Sequence, residues 1–181
     1  MARFNCLLLA IMLAYASGEV YVTEQSPRKL SELQDRALDG TLVRLPDSAA
    51  GHIALVGFGF RRESQYPLET WMEPFGREFN DPENFRRYEV PMMGRGLVRL
   101  ARGMINGGMA QGTPEALHRF VVPFYGDTRS YTREMEMDTK EDHVFLYLLD
   151  REGFIRWEGR GAASEAGLKG LLDTARSLAQ D

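Results

Sequence analysis

The run His143-Val144-Phe145-Leu146-Tyr147-Leu148-Leu149 does most to limit what this 181-residue chain can become. Continuous apolar sequence of that length, rich in aromatic residues and leucine, is a strand buried on both faces. Asp150-Arg151-Glu152-Gly153 follows as a tight turn, with Gly153 suited to the left-handed position. Phe154-Ile155-Arg156-Trp157 is the returning strand, broken by Gly159 and Gly161. Ser164 then caps a final helix that carries Leu168, Leu171, Leu172 and Ala175 on one stripe.

A second buried strand is predicted over His52 to Phe60. It ends in the polar turn Arg61-Arg62-Glu63-Ser64, where Ser64 is a candidate N-cap. Leu68, Trp71, Met72, Phe75 and Phe79 recur at helical spacing, which predicts a helix to about Asn80 with Pro67 in its first turn. Another strand is expected over Phe85 to Met92, and a short edge strand over Thr41 to Leu45. From Arg95 to Ile105 the pattern is helical again, with Leu97, Leu100, Ala101 and Met104 on one face and Arg95, Arg99 and Arg102 on the other. A short helix is expected from Pro114 to Phe120. The order is strand, helix, strand, helical segment, hairpin, helix. That is an α/β, thioredoxin-like sheet with flanking helices and a helical insertion, residues 93–125, in the middle crossover.

The N-terminus has a different character. Arg3, the apolar run 7–13 and Ala14-Tyr15-Ala16 match a cleaved secretory signal over residues 1–16, with an uncleaved anchor or a buried helix as alternatives. Residues 17–40 read as a polar lead-in, and 41–181 as the thioredoxin-like domain. An exported, extracytoplasmic protein, peripheral to a membrane, is the expectation. Cleavage would remove Cys6, the one cysteine, and leave a thiol-free mature chain. The net charge of −4 argues against a general nucleic-acid binder.

Redox members of this fold carry a Cys-x-x-Cys turn where the first strand meets a helix N-terminus, which lowers the thiol pKa. Here that place is Arg61-Arg62-Glu63-Ser64, so thiol chemistry has no nucleophile there and no enzyme is expected. Arg61 and Arg62 suit an anion or a partner's acidic group, or else form a solvated turn. The Arg95/Arg99/Arg102 face suits an acidic partner or anionic headgroups, or else is a solvated helix face. His52, His118 and His143 lack metal-ligand spacing, and no cofactor is expected. Met92-Met93 and Met135-Glu136-Met137 offer thioethers for Cu(I), or else fill core gaps.

Two stretches carry a family resemblance. Leu148, Leu149, Asp150, Gly153, Ile155, Arg156, Trp157, Gly159, Gly161 and Ala162 follow a segment with Val122, Pro123, Tyr125, Gly126 and Tyr131. Upstream stand Phe60, Arg61, Ser64, Trp71, Pro74 and Phe75. Together these resemble the mitochondrial ATPase complex assembly factor ten family, over most of residues 40–175. The resemblance implies a thioredoxin-like chaperone without redox cysteines, serving a hydrophobic membrane subunit of the ATP synthase. Partner-binding residues are then expected among Arg61, Arg62, Ser64, Trp71, Arg95, Arg99, Arg102, Arg156 and Trp157, as contacts or their supports. The secretory-type N-terminus departs from a mitochondrial pattern and leaves client and compartment open. The alternatives are an exported thioredoxin- or peroxiredoxin-like oxidoreductase relative and a methionine-based copper carrier.

Overall fold

The structure, a computed structural model, describes residues 28–140 and 143–180, without the side chains of Leu97 and Arg99. The expected signal sequence, Cys6 and the first part of the lead-in lie outside the described residues.

Two of the four strands of the main sheet, Ile53–Gly59 and Val144–Leu149, come from the apolar runs. β3 (Ile53–Gly59) is buried throughout and pairs in parallel with β4 (Phe85–Pro91). On its other side β3 pairs antiparallel with β5 (Val144–Leu149), and β5 with β6 (Ile155–Arg160), giving the order β4-β3-β5-β6. Side chains alternate between two cores, as the period-two geometry of a strand demands. Ile53, Leu55, Val144, Leu146 and Leu148 face α1 (Gln65–Glu78) and α5 (Glu165–Gln180). Ala54, Val56, Phe58, Phe145, Tyr147 and Leu149 face the opposite layer. Gly57 lets α1 lie close, since a Cβ there would come within 2.5 Å of the Met72 Cε and 2.7 Å of the Leu68 Cδ2.

The opposite layer includes part of the segment read as a lead-in. β1 (Leu33–Arg36) and β2 (Leu42–Leu45) form an antiparallel hairpin, and Leu30, Leu33 and Ala37 join the core. The expected edge strand is therefore present as β2, in a sheet of its own. The rest of this layer comes from residues 121–137. Val121 and Phe124 bridge in parallel to Glu89 and Met92 and so cover the open edge of β4. α4 (Thr128–Glu134) follows, capped by the Asp127 carboxylate on the Ser130 N–H.

The insertion is built of α2 (Leu97–Leu100), α3 (Arg102–Gly112) and a 3-10 segment, Glu115–Phe120. The single helix expected from Arg95 breaks at Ala101. The expected short helix after Thr113 is the 3-10 segment. In the β5–β6 turn Gly153 has φ 83°, the left-handed conformation anticipated for it. Ser164 caps α5 as expected, accepting the Gly167 N–H at 3.1 Å.

Candidate functional site

The chain leaves β3 at Gly59, passes through a 3-10 turn, Arg62–Ser64, and enters α1. Ser64 stands where the fold's thiols would be sought. It is 2% exposed, and its Oγ donates to the carbonyl of His143 at 3.0 Å while accepting the Arg61 N–H at 3.1 Å. The expected cap on α1 is corrected: Ser64 has helical dihedrals and makes no side-chain bond into that helix. Nor is it an activated nucleophile. Its hydroxyl is spent on the main chain of His143, not on the imidazole, whose Nδ1 is buried without a partner among the described residues. Arg61 and Arg62 flank it, exposed, and form no ion pair among the described residues.

These residues edge a cleft of about 390 Å³ over the carboxyl ends of the parallel strands β3 and β4. Open α/β sheets bind ligands at that end of their strands. Its walls are Gln65, Leu68 and Glu69 of α1 and Gly108, Met109 and Gly112 of α3, with Glu89 and Pro91 of β4 at its base. Burial pushes the Glu89 carboxyl above its ordinary value. The Glu69 carboxylate adds to this, while Arg87 and Gln65 act against it. Sequence reading passed over Glu89. Its signal was a lone acidic residue between Tyr88 and Val90, which are buried on the other face of β4.

The insertion departs from what its periodicity implied at Leu100, Met104 and Arg102. Leu97, Leu100, Ala101 and Met104 were read as an apolar face, and the arginines opposite as facing an acidic partner, anionic headgroups or solvent. Instead Leu100 is 84% and Met104 78% exposed, and no residue of α3 is buried. Arg102 turns inward, pairs with Asp35 of β1 and lies over the Tyr125 ring at 4.7 Å. The second Asp35 oxygen accepts the Tyr125 N–H at 2.9 Å, and the Tyr125 hydroxyl donates to Asn106 at 2.7 Å. His118 Nε2 closes the far end of α3, 3.0 Å from the Ala110 carbonyl and 2.9 Å from that of Thr113. Arg95 is exposed and 3.6 Å from Asp127. The Arg99 side chain lies outside the described residues.

The remaining candidates sit elsewhere. Trp71 is buried in the α1–α5 layer, with its Nε1 donating to the Gly161 carbonyl at 2.9 Å and its ring 5.2 Å from that of half-buried Trp157. Arg156 holds the hairpin turn through Asp150 at 2.6 Å. The nine candidates thus fall in four places: Arg61, Arg62 and Ser64 at the cleft, Arg95, Arg99 and Arg102 on the insertion, the tryptophan pair in the α1–α5 layer, and Arg156 at the turn. Ser64 and Trp71 are buried. Of the two readings given to the methionines, the structure shows the gap-filling one. Met92, Met135 and Met137 are core residues, and the Met135 sulfur accepts the Ser31 N–H at 3.3 Å.

No protein-family model matches the chain, and no curated protein matches it in sequence. Solved structures match over almost their whole length. The thioredoxin domain of a thiol-disulfide oxidoreductase from Bacteroides vulgatus aligns with a TM-score of 0.59 at 16% identity, covering 84% of this chain and 99% of its own. BsSco, a member of the Sco family of cytochrome c oxidase assembly proteins, aligns with a TM-score of 0.59 at 13% identity, covering 88% and 98%. The exposed lipoprotein thioredoxin of Streptococcus pneumoniae gives 0.51 at 13% identity, covering 79% and 98%. The fold is thioredoxin-like. At these identities the likeness is one of fold alone. Among the described residues, no helix is long and apolar enough to cross a membrane.

Proposed function

We propose that this protein is an exported, non-enzymatic assembly factor or chaperone, and that the cleft between α1 and α3 receives a segment of a hydrophobic membrane-protein client. The observation that carries the reading is the state of Ser64. The position a redox protein of this fold gives to a reactive thiol holds a buried hydroxyl bonded to the main chain of His143. Around it the cleft remains, with two exposed arginines at its mouth and the apolar Leu68, Met109 and Val121 in its walls. Such a site binds without reacting. BsSco is an instance of this fold in a protein described as an assembly protein. The resemblance of the β5–β6 hairpin makes a membrane subunit of ATP synthase the first client to test.

A photo-crosslinking residue at Arg62 or Met109, with Lys169 on α5 as control, tests the reading in the native host. The expected result is one enriched membrane protein from both cleft positions and none from the control. Equal recovery from all three positions removes it.

A second reading, a thiol-disulfide oxidoreductase relative, is favoured by the structural neighbours. It requires Cys6, the one thiol in the sequence, to persist in the mature protein. Disulfide reductase activity that disappears in Cys6→Ser would establish it.

A further inference from the structure

Five large apolar side chains stand exposed among the described residues: Leu42, Tyr66, Val98, Leu100 and Met104. Single exposed apolar residues are ordinary, but of these five Val98, Leu100 and Met104 fall within one short segment. Three of them lie on α2 and α3. Leu42 lines an open hollow beside the insertion together with Arg36, Arg95, Arg102 and its partner Asp35. The charge is grouped too. Residues 90–114 contain three arginines and no acidic residue, in a chain with 26 aspartates and glutamates. The inward pairing of Arg102 with Asp35 holds the insertion so that Leu100 and Met104 point away from the body.

We propose that this face docks on an anionic lipid bilayer. Leu100 and Met104 enter the boundary between headgroups and acyl chains, and Arg95 and Arg36 meet the headgroups around them. Exposed apolar side chains on a segment whose own charges are all basic are the pattern of an interfacial element, and the carboxylates that reach it, Asp35 and Asp127, are each paired with one of its arginines, which leaves little free negative charge to oppose an anionic surface. An apolar protein partner would call for the exposed leucine and methionine but not for that basic segment. The inference stands apart from the assembly reading, because it needs lipid and no client.

The test places an environment-sensitive fluorophore at Met104→Cys in a Cys6→Ser background of the full chain, with Lys169→Cys as the control site. Protein-free vesicles of phosphatidylcholine alone, or mixed with phosphatidylglycerol, are then added. The expected result is a several-fold rise and blue shift at position 104 with mixed vesicles, reduced by high salt and by Arg36→Glu with Arg95→Glu. No change at position 104, or the same change with neutral vesicles, overturns the proposal. So does a change at 104 that requires native membranes carrying their proteins, which would make the face a protein-docking surface. The label reports only its own surroundings, so an N-terminal lipid contact cannot imitate the result.

Discussion

The hydroxyl of Ser64 donates to the main-chain carbonyl of His143 across 3.0 Å, joining the turn after β3 to the residue before β5. Phe60 N–H reaches the same carbonyl at 3.0 Å. The junction is thereby closed by a structural bond. Ser64→Ala removes a buried hydrogen bond and is expected to cost about 1–3 kcal/mol in denaturant unfolding. Ser64→Cys is nearly isosteric, and its thiol would be buried. It should react with a thiol reagent only as fast as the protein opens. Rapid labelling of the native Ser64→Cys, Cys6→Ser protein would show that the position is accessible and the structural account wrong.

Arg102 and Asp35 fasten the insertion. Their side chains are 31% and 12% exposed, so the pair is partly screened and is assigned about 1–2 kcal/mol. Arg102→Ala should leave the sheet intact and loosen α2 and α3. Limited proteolysis should then cut within residues 95–112 about tenfold faster than in the parent, following the free-energy scale of local opening. Unchanged cleavage would mean that Tyr125, Asn106 and His118 hold the insertion without this pair.

Two glycines on the α1 side of the sheet separate tight packing from a flexible contact. Gly57→Ala drives a methyl group between β3 and α1, against Met72 and Leu68, and should cost about 1–3 kcal/mol. At Gly76 the added Cβ would meet the Arg87 guanidinium at 1.8 Å, which can swing toward solvent. Gly76→Ala gives up the 3.0 Å bond from Arg87 to the Met72 carbonyl but gains helix propensity. It should change stability by less than about 1 kcal/mol. Paired thermal melts decide, and the reverse order would overturn this account of the α1–β3 contact.

Glu89 makes stability depend on pH. Its folded pKa is raised above 4.5, chiefly by burial. The folded state therefore holds its proton more tightly than the unfolded state. The penalty is absent below pH 4.5 and grows as pH rises through the folded pKa. Glu89→Gln is accordingly predicted to be more stable than the parent at pH 7, with the difference vanishing at about pH 4. Melting temperatures across that range are the measurement. A variant less stable at pH 7 would mean that the charged form is held by a partner.

What the residues determined alone was whatever depends on neighbours in sequence. The buried runs of β3 and β5, the left-handed Gly153 turn, the stripe of α5 and the absence of a thiol after β3 were all legible, because periodicity, turn chemistry and composition are local. Tertiary structure decided what local pattern leaves undetermined. A helical period marks the apolar face of residues 97–104 but not the direction it points. That was settled by Arg102 reaching Asp35, 67 residues away. A serine before a helix reads as a cap until its hydroxyl finds a carbonyl 79 residues away. β1 looked like lead-in because four residues with three polar ones show little periodicity, and only pairing with β2 and burial of Leu33 made it a strand. Glu89 acquired its raised pKa only when α1 and β4 were brought together, since desolvation is a property of the folded surroundings and not of the strand.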